Sequence, residues 1–202
     1  MTRNAAVLSA RKNKADILVM VDSDMVPDMY LLPQHAKDDP AAAAGAKPFI
    51  DVAIAEIDEH YEVGPIVIGA PYCGPPPSAP VYIFHWEEHC KEAVDTKHEL
   101  RMFTHNEAAI MTGVGTAAAL PTGMIAYDMR AFDLIEPIPS RNGQDATRGS
   151  MGFFYYEFDD HYHANKGSTE DVTNTRDICF NGVRKLGYNP LRVAWDCWAG
   201  HV

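Results

Sequence analysis

Residues Ile17–Asp24, ILVMVDSD, decide how this chain folds. The run Ile17–Val21 is of strand length, and its unbroken apolar character suits a strand buried on both faces, as in a helix-covered parallel sheet. It stops at Asp22-Ser23-Asp24. Two carboxylates at i and i+2, on the carboxyl end of a buried strand, stand where open α/β sheets place their ligands. Their oxygens suit hard ions such as Mg²⁺ and Mn²⁺, and leave coordination positions for substrate phosphates. Asp and Ser also form turns. The strand before the triplet and Pro27 after it favour the ligand-binding reading.

Working outward, residues 2–13 predict a helix, rich in alanine and ending near Asn13. Downstream, a short helix to about residue 37 precedes an Ala-rich stretch over 40–46. Phe49, Ile50, Ala53, Ile54 and Ile57 then mark one face of a helix. Ile66–Ala70 and Val81–Trp86 read as strands, separated by a loop stiffened by prolines. Residues 105–111 read as helix, and Val114–Leu120 and Thr122–Asp128 as two more strands. Residues 137–168 lack periodicity and read as loop. A helix over about 170–187 shows a stripe of Val172, Cys179, Val183 and Leu186, with Glu170 and Asp171 in its first turn, where the helix dipole favours anions. Leu191–Trp195 is a last strand. The pattern predicts a single α/β domain over 1–202, with a mostly parallel central sheet flanked by helices.

Composition narrows the functional classes. The chain has 202 residues, 17 Lys plus Arg against 28 Asp plus Glu, and a net charge of −11. Such a surface repels phosphates and argues against nucleic-acid or anionic-membrane binding, unless a metal supplies local positive charge. No apolar run approaches the ~20 residues of a membrane span, and the first residues lack the apolar core of a secretory signal. Cys73, Cys90, Cys179 and Cys197 form no C-x-x-C pair, so reduced thiols in a cytoplasmic protein are expected.

Two further features bear on chemistry. Asp171 or Glu170, at a helix start, is suited to take a proton from an attacking hydroxyl, although capping explains one acid equally well. His201 ends the last segment, and a neutral imidazole there can ligate a metal.

Taken together, these segments resemble the A-type nucleotide-sugar glycosyltransferases, the large family that includes chitin and cellulose synthases and many bacterial polysaccharide enzymes. An Arg-Asn helix (Arg3-Asn4) precedes a hydrophobic strand ending in Asp-x-Asp and followed closely by Pro. A Gly-containing strand leads into a charged turn and a Phe, here TGMIAYDMRAF over 122–132. A Glu-Asp pair opens a helix ending in Gly-Tyr, here TEDVTNTRDICFNGVRKLGY over 169–188, and a strand follows that runs to Gly200-His201. The blocks keep the family's order.

The resemblance implies a Mn²⁺ or Mg²⁺ cofactor bound by Asp24 and His201, with Asp22 on the metal's water shell or the ribose. Arg3 and Asn4 would belong to the donor-binding side. Asp171 would be the catalytic base, with Glu170 as neighbour or substitute. Gly123 and Met124 would line the acceptor side, and Tyr155, in the aromatic run Phe153–Tyr156, could stack on a sugar. The expected partners are a UDP- or GDP-type sugar donor and a saccharide or other hydroxyl acceptor, with inversion preferred. Family members carry further nucleotide-binding strands ahead of the Arg-Asn helix, which here begins at residue 2. The expectation is therefore an N-terminally truncated form, either a minimal enzyme or a non-catalytic ligand binder, whose exposed sheet edge favours a homodimer.

A competing reading rests on His85-Trp86-Glu87-Glu88-His89, which fits the H-x-x-E-H pattern of a zinc peptidase class. That pattern requires a helix, whereas the residues leading to His85 read as a strand.

Overall fold

The computed structural model describes residues 2–73, 80–86, 100–139, 151–155 and 169–201. In chain order the elements are α1 (Thr2–Lys12), β1 (Ile17–Val21), β2 (Met25–Val26), α2 (Pro33–Ala36), α3 (Pro40–Gly45), α4 (Phe49–Glu59), β3 (Val67–Gly69), β4 (Val81–Trp86), β5 (Leu100–Phe103), α5 (His105–Ala108), β6 (Val114–Thr116), β7 (Met124–Asp128), β8 (Ile138–Pro139), β9 (Met151–Gly152), α6 (Glu170–Leu186), β10 (Leu191–Ala194) and β11 (Gly200–His201).

The central sheet runs β1-β7-β3-β10-β6. Only β3 and β10 are parallel; β1–β7, β7–β3 and β10–β6 are antiparallel. The α/β class holds, but the sheet is mixed rather than mostly parallel. The reason lies in what an apolar run encodes. All five residues of β7 are buried, yet it is antiparallel to both neighbours. Burial on two faces reports cover on both sides of the sheet, not strand direction. β1 itself is the first strand of the sheet, and Val19 and Val21 are 40% and 46% exposed.

Alternation along the inner strands divides the core into two layers. Ile125 and Tyr127 of β7, with Val67 of β3, join Val7 of α1 and Ile178 of α6 on one face. Met124 and Ala126 of β7, with Ile66 and Ile68, meet Phe49, Ala53 and Ile57 of α4 on the other. The stripe on α4 is narrower than its sequence suggests, because Ile50 and Ile54 remain 40% and 45% exposed.

The long helix α6 departs further from its apolar pattern. Val172 and Cys179 are buried, but Val183 and Leu186 are largely exposed. The helix instead buries Thr173, Asn174, Thr175 and Arg176. Burial of such groups is costly unless they are bonded, and the bonds are present. The Thr175 hydroxyl donates to the Leu120 carbonyl (2.7 Å) and accepts from the Leu120 N–H (2.9 Å). Asn174 donates to the Phe153 carbonyl (2.9 Å) and accepts from the Tyr127 hydroxyl (3.2 Å). These bonds fix the start of α6 against the segment that leads into β7. Gly187, in the left-handed region with φ 79°, ends the helix.

Within the stretch read as loop, β8 pairs with β9, and Phe153 and Phe154 are buried in the core. Tyr156 lies outside the described residues. No helix among the described residues is long and apolar enough to cross a membrane.

Candidate functional site

The pairing of β1 with β7 brings Val21 opposite Met124. One residue further, the Asp22 N–H donates to the Gly123 carbonyl (3.0 Å), so the aspartate begins where the ladder ends. Arg3, on the first turn of α1, reaches this point. One guanidinium nitrogen spans both Asp22 oxygens at 3.0 and 2.9 Å, and another donates to Glu170 Oε1 at 2.5 Å. Burial alone would lower the Arg3 pKa, but Asp22, Asp171 and Glu170 outweigh it and hold the pKa above its ordinary value. Arg3 is thus a fixed cation that ties the strand end to the first turn of α6.

Asp171 is oriented by its neighbours. One oxygen accepts from the Thr169 hydroxyl and the Val172 N–H (2.9 Å), the other from the Thr122 N–H (3.4 Å). Tyr72 lies beside it, 6% exposed. Burial pushes the Tyr72 phenol far above its usual range, and the Asp171 charge pushes it further, against a hydrogen bond with the Gly123 backbone. A Cβ on Gly123 would meet the Tyr72 ring at 2.5–2.6 Å, so the close approach of ring and backbone requires glycine here.

Asp24 meets the far end of the chain. β11 pairs antiparallel with β2, His201 opposite Met25, and this register puts His201 Nε2 3.5 Å from Asp24 Oδ2. With metal–ligand distances of about 2.0–2.2 Å, two atoms at this separation can share one ion. An oxygen and an imidazole nitrogen suit Mn²⁺ better than Mg²⁺, which prefers an all-oxygen shell. The Asp22 oxygens are engaged by Arg3, and among the described residues no three metal-ligating side chains cluster. Asp24 and His201 supply two ligand atoms, fewer than the four that a closed structural site uses.

The other residues singled out from sequence fall as follows. The Asn4 amide oxygen accepts from the Phe153 and Phe154 N–H groups (2.7 and 3.0 Å), and its nitrogen donates to the Phe154 carbonyl (3.0 Å). Its side chain braces the aromatic turn rather than facing the carboxylates. Met124 is 2% exposed and packs in the α4 layer, so its side chain belongs to the core rather than to an acceptor wall. The Tyr155 hydroxyl donates to Asp177 Oδ2 at 2.5 Å. His85 lies on β4, paired with Arg101, with Nε2 buried and unpartnered. It is therefore on a strand, not the helix the peptidase pattern needs; Glu88 and His89 lie outside the described residues.

No family model, curated protein or solved structure matches the chain. The site stands on its own geometry. Sequence reading overlooked two of its members, Tyr72 and Thr122. Nothing in their local pattern marks them, because each acquires its role only when the segment after β3 and the start of α6 close on Gly123.

Proposed function

We propose that the chain is the catalytic domain of a metal-dependent glycosyltransferase, moving a sugar from a UDP- or GDP-type donor to a hydroxyl acceptor. The observation that carries this reading is convergence. Asp22 and Asp24 from the end of β1, Glu170 and Asp171 from the start of α6, and His201 from β11 are linked around one end of the β1–β7 pair.

In this reading Asp24 and His201 would hold a Mn²⁺ ion, which would offset the charge of the donor diphosphate as it leaves. Asp171, its carboxylate aimed by Thr169, Val172 and Thr122, accepts the proton of the acceptor hydroxyl. A base held in one orientation supports direct displacement and inversion. Arg3 keeps Asp22 and Glu170 from repelling one another. The buried wall beside Gly123, made by Tyr72 and Met124, excludes water from that side.

A second reading has its own support. Arg3 already neutralises two carboxylates, which suits a domain that binds ligand without turnover. Calorimetry with Mn²⁺ and a panel of UDP- and GDP-sugars, followed by a transfer assay, separates the two. Binding lost in Asp24→Asn and His201→Ala, with transfer lost in Asp171→Asn, supports the enzyme. Binding without transfer supports the second reading. Absence of any nucleotide-sugar binding by the folded protein sinks both.

A further inference from the structure

A cavity of about 500 Å³ opens between the turn at Met29–Leu31, helices α3 and α5, and the segment that follows β10. This is within the ~300–1,000 Å³ typical of small-molecule sites. Its wall includes Tyr30, Trp195 and Trp198 as aromatic rings, and Asp39, His105 and His201 as polar groups. Arg3, Asp22, Gly123, Met124, Tyr155, Glu170 and Asp171 do not line it, whereas His201 does.

We infer that this cleft binds an uncharged saccharide. The half-buried rings of Tyr30 and Trp198 can pack against the C–H faces of a pyranose, while carboxylate and imidazole groups meet its hydroxyls. Tyr30 keeps its hydroxyl proton: burial raises its pKa, and the nearby Asp39 and Cys73 raise it further. Trp195 is 1% exposed and its Nε1 lies against Gly115 of β6, where an added Cβ would meet it at 2.7 Å, so its indole backs the wall while Tyr30 and Trp198 offer the ligand-facing rings. Among the described residues no lysine or arginine lines the cleft. A second carboxylate in the wall, Asp196, already accepts from Lys47 (3.0 Å) and the Gly113 N–H (2.9 Å). Phosphorylated or acidic ligands are therefore disfavoured here, in a chain whose net charge is −11. Resting on the transferase reading, the inference assigns the cleft to an acceptor sugar unit beyond the hydroxyl that reacts. His201 is the residue shared by the two compartments.

The test is titration of the full chain with cellobiose, maltose, chitobiose and mannobiose, in EDTA and without nucleotide, read by tryptophan fluorescence and calorimetry. At least one of these neutral disaccharides should bind. Trp198→Ala should weaken binding about tenfold, the equivalent of ~1.4 kcal/mol, while Trp198→Phe stays near wild type. Tyr30→Ala, at a half-buried surface position, provides a second variant should Trp198→Ala not fold. Failure of all four sugars to bind protein with an unchanged melting curve overturns the inference. So does equal binding by Trp198→Ala and Tyr30→Ala, or tighter binding of glucuronic acid than of the neutral sugars. Because this binding needs neither metal nor nucleotide, its failure and that of nucleotide-sugar binding are distinguishable.

Discussion

His201 stands against Asp24 because the residue after that aspartate, Met25, is its partner across the β2–β11 pair. The two side chains come from opposite ends of the chain, and the backbone, not the weak ion pair between them, sets their separation. Exposed pairs of this kind contribute roughly 0–1 kcal/mol. Asp24→Asn is therefore expected to leave the melting temperature almost unchanged while abolishing Mn²⁺ binding by calorimetry. A large loss of stability with metal binding intact would reverse this assignment.

Arg3 has a different balance, since it bridges two carboxylates and is itself partly shielded from water. Arg3→Met keeps much of the side-chain length but leaves Asp22, Glu170 and Asp171 facing one another. Destabilisation of about 1–2 kcal/mol at neutral pH is expected from denaturant titration. It should shrink as salt is added, because screening weakens the repulsion among the three carboxylates. A cost that does not change with ionic strength would mean the guanidinium matters for packing alone.

Gly123 sits where its missing side chain makes room for Tyr72. Gly123→Ala forces a methyl group into a ring that is itself buried, with an expected cost of about 1–3 kcal/mol. The double variant Gly123→Ala/Tyr72→Ala should lose less than the sum of the two single changes, since deleting the ring removes the clash. Strict additivity in a double-mutant cycle would show that the two residues do not compete for this space.

The buried thiols make a chemical prediction. Burial pushes Cys179 up to about 12, and Cys197, close to Asp28 and Asp196 as well, also to about 12. Both should resist iodoacetamide at pH 8 in the native protein, whereas the half-buried Cys73 reacts before either of them. Unfolded thiols titrate near ~8.5, below these folded values. The stability they contribute is complete below that pH and declines above it, so melting temperature should fall from about pH 9 upward. Peptide mapping that finds Cys197 labelled as fast as Cys73 would contradict the burial described here.

Much of this was legible in the sequence, and what was not has identifiable causes. The α1 helix, the Ile17–Val21 strand, the α6 helix and its Gly187 stop follow from local propensity and capping. Strand direction was not legible, because an apolar run such as β7 looks the same in either orientation. Nor was the polar face of α6, since Thr173, Asn174 and Thr175 become core residues only through partners at Tyr127, Leu120 and Phe153. At the site, the acids and His201 were visible as residue types. That Asp22 belongs to Arg3 while Asp24 belongs to His201 depended on register. Asn4 looked like a ligand-facing residue and is a brace, because its amide matches the two N–H groups and the carbonyl of the turn at Phe153–Phe154.

The bond between Arg3 and Glu170 joins residues 167 positions apart. Closing so long a loop is an entropic cost that early, local structure does not repay. During synthesis from the N-terminus, Asp24 leaves the ribosome well before its partner His201 exists, and Arg3 well before Glu170. A truncated translation product would carry Arg3 and the two aspartates without Glu170 or the imidazole that stands against Asp24. The metal binding proposed for Asp24 and His201 therefore requires residue 201 to be made and docked, and its recovery after denaturation should track the slowest step of refolding.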